Sequence, residues 1–167
     1  MNMNWVAILM GSNSDWPVVK KTTLVLDKFG IEFEVRVTSA HRTPHQTAAY
    51  VEDAVARGCS VFICAAGLAA HLAGVVAAHT TRPVIGIPID GGPLSGVDSL
   101  YSTVQMPGGV PVATVAIGSA GAKNAGFLAA QILALSNDEL AQKLTQDRQN
   151  NIENVMAQNQ SVQEDLE

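Results

Sequence analysis

Five apolar runs of strand length, at residues 5–10, 33–37, 61–65, 84–87 and 114–117, recur along the chain, and each is bounded by Gly, Ser, Asn or Pro. Helix-length segments at 17–29, 44–56, 70–79, 95–105 and 122–135 separate them. Strands that are continuously apolar, rather than alternating, must be covered on both faces. Strictly alternating β and α segments therefore predict a three-layer α/β domain, a doubly wound parallel sheet between two helical layers. Right-handed crossovers gather every loop that leaves a strand C-terminus at one edge of such a sheet, where ligands bind. The loops sent to that edge read GSNSDW (11–16), SAHRT (39–43), AGLAAH (66–71) and DGGPLSG (90–96). The opposite edge receives Lys28-Phe29-Gly30 and Ala56-Arg57-Gly58, which read as ordinary helix C-terminal caps.

Composition narrows the classes of function. The 167 residues suffice for one domain with a substantial core, and with 47% apolar but only 5% aromatic residues that core must be built from Ala, Val, Ile and Leu. A net charge of -5, with no basic cluster longer than Lys20-Lys21, argues against nucleic acid and anionic membrane as partners. The run at 5–10 is too short to span a bilayer and lacks a secretory signal's flanks, so a cytoplasmic location is expected. Cys59 and Cys64 fit no disulfide or zinc spacing and read as core thiols. The catalytic domain is expected over 1–136. Residues 137–167 form a polar C-terminal extension, helical with a thin apolar stripe, that either packs on a neighbouring subunit or is partly disordered. The segment AKNAGFLAAQILAL (122–135) is apolar nearly all round, which points to burial on every side and to subunit association.

On the ligand edge, Ser12 and Ser14 with exposed N–H groups ahead of Pro17 suit an anion, although neither a dinucleotide fingerprint nor a P-loop is present. Asp15 either accepts from ribose hydroxyls or caps the helix. Arg42 offers a permanently charged fork for phosphate or carboxylate, and its neighbour His41 is able to exchange a proton near neutrality. The small residues around Gly67 permit a flat heteroaromatic ring to approach backbone, and His71 either assists there or caps a helix. His41 and His45 lack a third ligand, so no metal site is expected. His79 reads as a solvated residue at a helix end, and Asp98 as a helix cap.

In this order, the motifs MGSNSDWP, SAHRTP, AAGLAAHLAG, LSGVDSLYSTVQMPGGVPVATVAIG and AGAKNAGFLAAQIL closely resemble the bacterial N5-carboxyaminoimidazole ribonucleotide mutase family of purine biosynthesis, over nearly the whole chain. The resemblance implies a flavodoxin-like homo-octamer, with no metal or organic cofactor, that moves a carboxylate from the exocyclic nitrogen of an imidazole ribonucleotide monophosphate to ring carbon C4. It further implies that His41 is the acid/base, that Ser12 and Asp15 bind the nucleotide with Asp15 on the ribose, that Arg42 lies near the phosphate, and that His71 is a second active-site histidine. Ser14, Ser39 and Gly67, on the same loops, complete the expected binding set. Two departures stand out: Leu68 and Ala73 replace an expected Gly and Pro. A related class carboxylates aminoimidazole ribonucleotide directly with free carbon dioxide and typically has Lys after the His, so Arg42 favours the mutase. Direct carboxylation and a non-catalytic nucleotide-binding module remain the alternatives.

Overall fold

The computed structural model describes residues 4–166. Its elements run β1 (Trp5–Met10), a one-turn 3-10 helix (Asn13–Asp15), α1 (Trp16–Phe29), β2 (Phe33–Val37), α2 (Pro44–Ala56) and β3 (Cys59–Gly67). They continue through α3 (Leu72–Ala78), β4 (Val84–Ile89), α4 (Val97–Val104), β5 (Ala113–Thr114), α5 (Gly118–Ala134) and α6 (Asp138–Glu164). All strand pairs are parallel, in the order β2-β1-β3-β4-β5, which is the flavodoxin-like order expected of a doubly wound domain.

The alternation of side chains along the strands divides the core in two. Val6, Ile8 and Met10 of β1, with Val61, Ile63 and Ala65 of β3, face α1 and α5. Ala7, Leu9, Phe62 and Cys64 point the other way, into α2 and α3. Every residue of β1 is buried, as a central strand covered on both faces requires. Each fully buried Val, Ile or Leu contributes about 1.5–3 kcal/mol of transfer free energy, so these two layers dominate the stability. Both cysteines are free and buried, as their sequence context predicts, and burial raises the Cys59 thiol to about 11.

The structure departs most from the sequence reading around β5 and α5. The fifth strand covers only Ala113–Thr114, paired with Ile85 and Gly86, rather than 114–117. It is an edge strand, and Ile117 is already the N-cap of α5. That helix therefore begins at Gly118, four residues ahead of expectation. Gly121 rests on the Ala116 carbonyl so closely that no Cβ fits, which explains why a loop-like GSAGA opens a helix. Asp98 does not cap α4: Gly96 holds the N-cap position, and Asp98 Oδ1 is buried without a hydrogen-bond partner.

Helix α5 is buried largely within its own chain. Ala122, Ala125 and Ala129 are fully buried, Gly126 meets Val25 of α1, and Phe127 stacks edge-on against Phe29 at 5.7 Å. Leu140 and Leu144 of α6 close over the same cluster, and Lys28 pairs with the buried Asp147 to tie α6 to α1. Phe127, Leu128 and Ile132 pack against this cluster while staying partly exposed, and Leu135 just beyond the helix is 88% exposed, so the chain itself covers only part of the apolar girth. Beyond Asp147, α6 continues as an exposed helix to Glu164, with Ile152, Val155, Met156 and Val162 uncovered.

Candidate functional site

The crossover between β1 and β3 opens a cleft of about 570 Å³ at the C-terminal edge of the sheet. All eight residues expected to form the site, His41, Ser12, Asp15, Arg42, Ser14, Ser39, Gly67 and His71, line it.

The first loop is held by its own side chains. Gly11 N–H donates to the Ala65 carbonyl at 3.1 Å, extending the β1–β3 pairing by one residue. Ser12 caps the 3-10 turn: its Oγ accepts from Ser14 N at 3.2 Å, while Asp15 Oδ2 accepts from Ser12 N at 3.2 Å, a reciprocal capping box. The Ser14 hydroxyl donates to Ser12 Oγ at 2.8 Å. Asp15 therefore does cap a helical turn, and it also borders the cleft while only 9% exposed. Burial pushes its carboxyl above the ordinary range, opposed by the Ser12 N–H and the Ser14 hydroxyl.

The second loop is braced from behind by three threonines. Thr43 Oγ1 accepts from Ser39 N at 2.9 Å, and Thr43 N–H donates to the Ser39 carbonyl at the same distance. The Thr38 hydroxyl lies 2.6 Å from that of the fully buried Thr47 and 3.3 Å from that of Thr43. This brace escapes sequence reasoning, because isolated threonines carry no local signal; only their convergence on one turn gives them a role. Arg42 then folds back across the cleft floor. Its Nη2 donates to the Gly11 carbonyl at 3.1 Å, and Ser39 Oγ accepts from its Nε at 3.4 Å and its backbone N at 3.2 Å. Among the described residues no carboxylate forms an ion pair with it.

The third loop carries His71 to the edge of the cleft. The residue occupies the N-cap position of α3, yet its side chain makes no capping bond. Its Nδ1 instead lies 2.8 Å from His41 Nε2, with the rings edge to face and their centroids 4.9 Å apart. An N–H of one ring donates to the bare nitrogen of the other across this contact, the direction being set by the tautomers. His79 sits at the C-cap of α3, in keeping with a residue at a helix end. Among the described residues, no group of three or more His, Cys, Asp or Glu side chains gathers to hold a metal ion.

Both departures in this loop are now placed. Ala73, the second residue of α3, is buried and tolerated there. Leu68 has φ 56, a left-handed backbone that costs a residue other than glycine roughly 1–2 kcal/mol. The loop thus keeps the conformation a glycine would favour, and backbone approach is preserved at the expense of strain. The fourth loop is pinned from below by Ser99, whose hydroxyl reaches the carbonyls of Ile89 (2.9 Å) and Gly96 (2.8 Å).

The family model described as AIR carboxylase matches residues 5–154. The chain belongs to the AIR carboxylase family. Within that family it is 53% identical over 152 residues to an N5-carboxyaminoimidazole ribonucleotide mutase of Vibrio vulnificus, covering 91% of this chain and 94% of the relative. The mutase of Bacillus subtilis is 53% identical over 151 residues, covering 90% of this chain and 93% of the relative. Among solved structures, the crystal structure of Treponema denticola PurE superposes with a TM-score of 0.86 at 31% identity, covering 95% of this chain and 98% of that one. The fold of this AIR carboxylase family member, with its parallel five-stranded sheet and C-terminal helix, is therefore that of a solved relative.

Proposed function

We propose that the protein is an isomerase of purine biosynthesis, converting N5-carboxyaminoimidazole ribonucleotide to its C4-carboxylated isomer. Sequence identity of about half to relatives bearing that name supports the reading, and the observation that carries its chemistry is the His41–His71 pair facing a cleft floored by Arg42.

The reaction needs one proton moved and no net redox change. Cleavage of the N–carboxylate bond releases carbon dioxide and requires a proton at the exocyclic nitrogen. Attack of ring carbon C4 on that carbon dioxide forms the new C–C bond and requires loss of the C4 proton. A single imidazole that gives its proton to the nitrogen and is then recharged by the proton leaving C4 closes the balance, and His41 is the residue proposed to do so. His71 holds the other end of the hydrogen bond at His41 Nε2, fixing ring orientation and tautomer while that bond persists; a substrate that uses Nε2 must open it. Arg42 supplies the permanent cation for the monophosphate. Ser12, Ser14 and Ser39 turn hydroxyls to the cleft, Asp15 takes the ribose, and Gly67 leaves the ring room against the backbone. No metal or organic cofactor is assigned to the site.

The subunit is assigned to a homo-octamer in the cytoplasm, on the resemblance and on the uncovered apolar residues of distal α6. Among the described residues no helix is long and apolar enough to cross a membrane. The second reading, direct carboxylation of aminoimidazole ribonucleotide, draws on the family description itself. Supplying the purified protein separately with the carbamate substrate, and with aminoimidazole ribonucleotide plus bicarbonate, decides between them. A mutase turns over the first without added bicarbonate and gains the second only slowly. Binding without product in either assay leaves the non-catalytic module.

A further inference from the structure

Leu68 sits where an apolar side chain is least expected. It follows β3 directly in the cleft wall, is 52% exposed, and holds a left-handed backbone. Its Cδ2 lies 2.5 Å from the position a Cβ on Gly92 would take, so the isobutyl group lies flat on the Gly92 backbone, itself at φ 73. Leu68 therefore bridges the β3–α3 and β4–α4 loops across the cleft wall. Within the subunit the side chain gains little from this position: no core cluster contains it, and half of it faces water. An occupied cleft changes that, because a flat ring entering it would remove the exposed apolar surface from water.

We infer that Leu68 is a specificity-determining residue: its side chain, laid across Gly92, is the apolar wall that covers the imidazole ring and hinders carbon dioxide from leaving before C4 captures it. This rests on the function proposed above. Leu68 takes no part in bond making. After the N–carboxylate bond breaks, the released carbon dioxide either joins C4, with the C4 proton passing to His41, or escapes and leaves aminoimidazole ribonucleotide behind; the wall biases that choice.

The test compares the full chain with Leu68→Gly, which suits the left-handed backbone, and Leu68→Asn, which tolerates it but is polar. Substrate labelled in its carboxylate is supplied, and both carboxylated product and released carbon dioxide are measured above a no-enzyme blank. Calorimetry follows aminoimidazole ribonucleotide binding. Both variants are expected to fold, with Leu68→Gly no less heat-stable than the parent. Both should bind the nucleotide about fivefold more weakly, as loss of half a leucine's burial implies. Escaped carbon dioxide per product should rise by a similar factor. Parent-like affinity and escape in either variant of an active enzyme would overturn the inference alone. So would a smaller oligomer in Leu68→Gly, which would assign the residue to a subunit contact. A parent that binds the nucleotide but never isomerises it overturns the proposed function and this inference with it.

Discussion

At the N-terminal end of the sheet, Arg57 donates to Glu34 through both terminal nitrogens, at 2.5 and 3.0 Å, and to Asp53 through Nε at 2.7 Å. Tyr50 adds its hydroxyl to Glu34 at 3.0 Å, and the guanidinium stacks 4.8 Å from the Trp5 ring. At the C-terminal end, among the described residues, Arg42 donates only to a carbonyl and a hydroxyl, Asp15 accepts only from Ser12 N and the Ser14 hydroxyl, and two histidine rings hydrogen-bond to each other. Both ends enclose a cavity, and the one bordered by Arg57 is the larger, at about 670 against 570 Å³. Volume and charge therefore do not mark the site. What marks it is charge left without a countercharge: Arg57 is neutralised by its neighbours and serves stability, whereas Arg42 and the histidine pair keep capacity for a ligand.

The contrast breaks most visibly at His41. His41→Asn is expected to lower kcat by about 10²–10⁴ while ribonucleotide affinity stays within about twofold, as steady-state kinetics and calorimetry would separate. Arg42→Ala should weaken binding of a ribonucleotide monophosphate by about 10–100-fold, the loss of a charge-assisted contact, and Arg42→Lys should restore only part of it. Equal loss of binding in the His41 and Arg42 variants would contradict the division between proton carrier and anchor.

Thr43→Val sharpens the comparison, since the brace touches no ligand. It leaves Ser39 N without its acceptor and should cost about 1–2 kcal/mol in denaturant titration, with roughly a tenfold fall in kcat as the loop loosens. Arg57→Met, at the other end, is expected to lower stability only slightly, because the pair is more than a third exposed and screened, and to leave KM unchanged.

Asp15 gives a small stability change and a pH signature. Its carboxyl titrates higher folded than unfolded, so ionisation weighs against the fold. The favourable contribution is full below the ordinary carboxyl value and is lost as pH rises through the raised one. Asp15→Asn should therefore melt above the parent at pH 7, by at most about 2–4 °C, with the gap closing as pH falls toward 4, while ribonucleotide binding weakens. A gap that widened toward acid would refute the sign.

Much of this was legible in the chain. The continuously apolar runs of β1, β3 and β4 announce a buried parallel sheet, and the loop order then delivers His41, Arg42 and Asp15 to one edge. What stayed hidden depends on partners distant in sequence. His71 is ambiguous until His41, thirty residues earlier, is seen against its Nδ1. The Thr38, Thr43 and Thr47 hydroxyls have meaning only as a group. The start of α5 is disguised by glycines, of which Gly121 closely approaches Ala116, and the cover that α6 lays over α5 could not be read from the chain. Leu68 was visible as a departure, but its φ and its seat on Gly92 were not.

The central claim is that His41 carries the C4 proton, and substrate deuterated at C4 tests it most directly. Wild-type protein should release one deuteron to solvent or to the exocyclic nitrogen for each carboxylated product, with turnover slowed by the label, while His41→Asn, still binding the ribonucleotide, should leave the C4 deuteron in place. Release at the wild-type rate from the His41 variant would contradict the account.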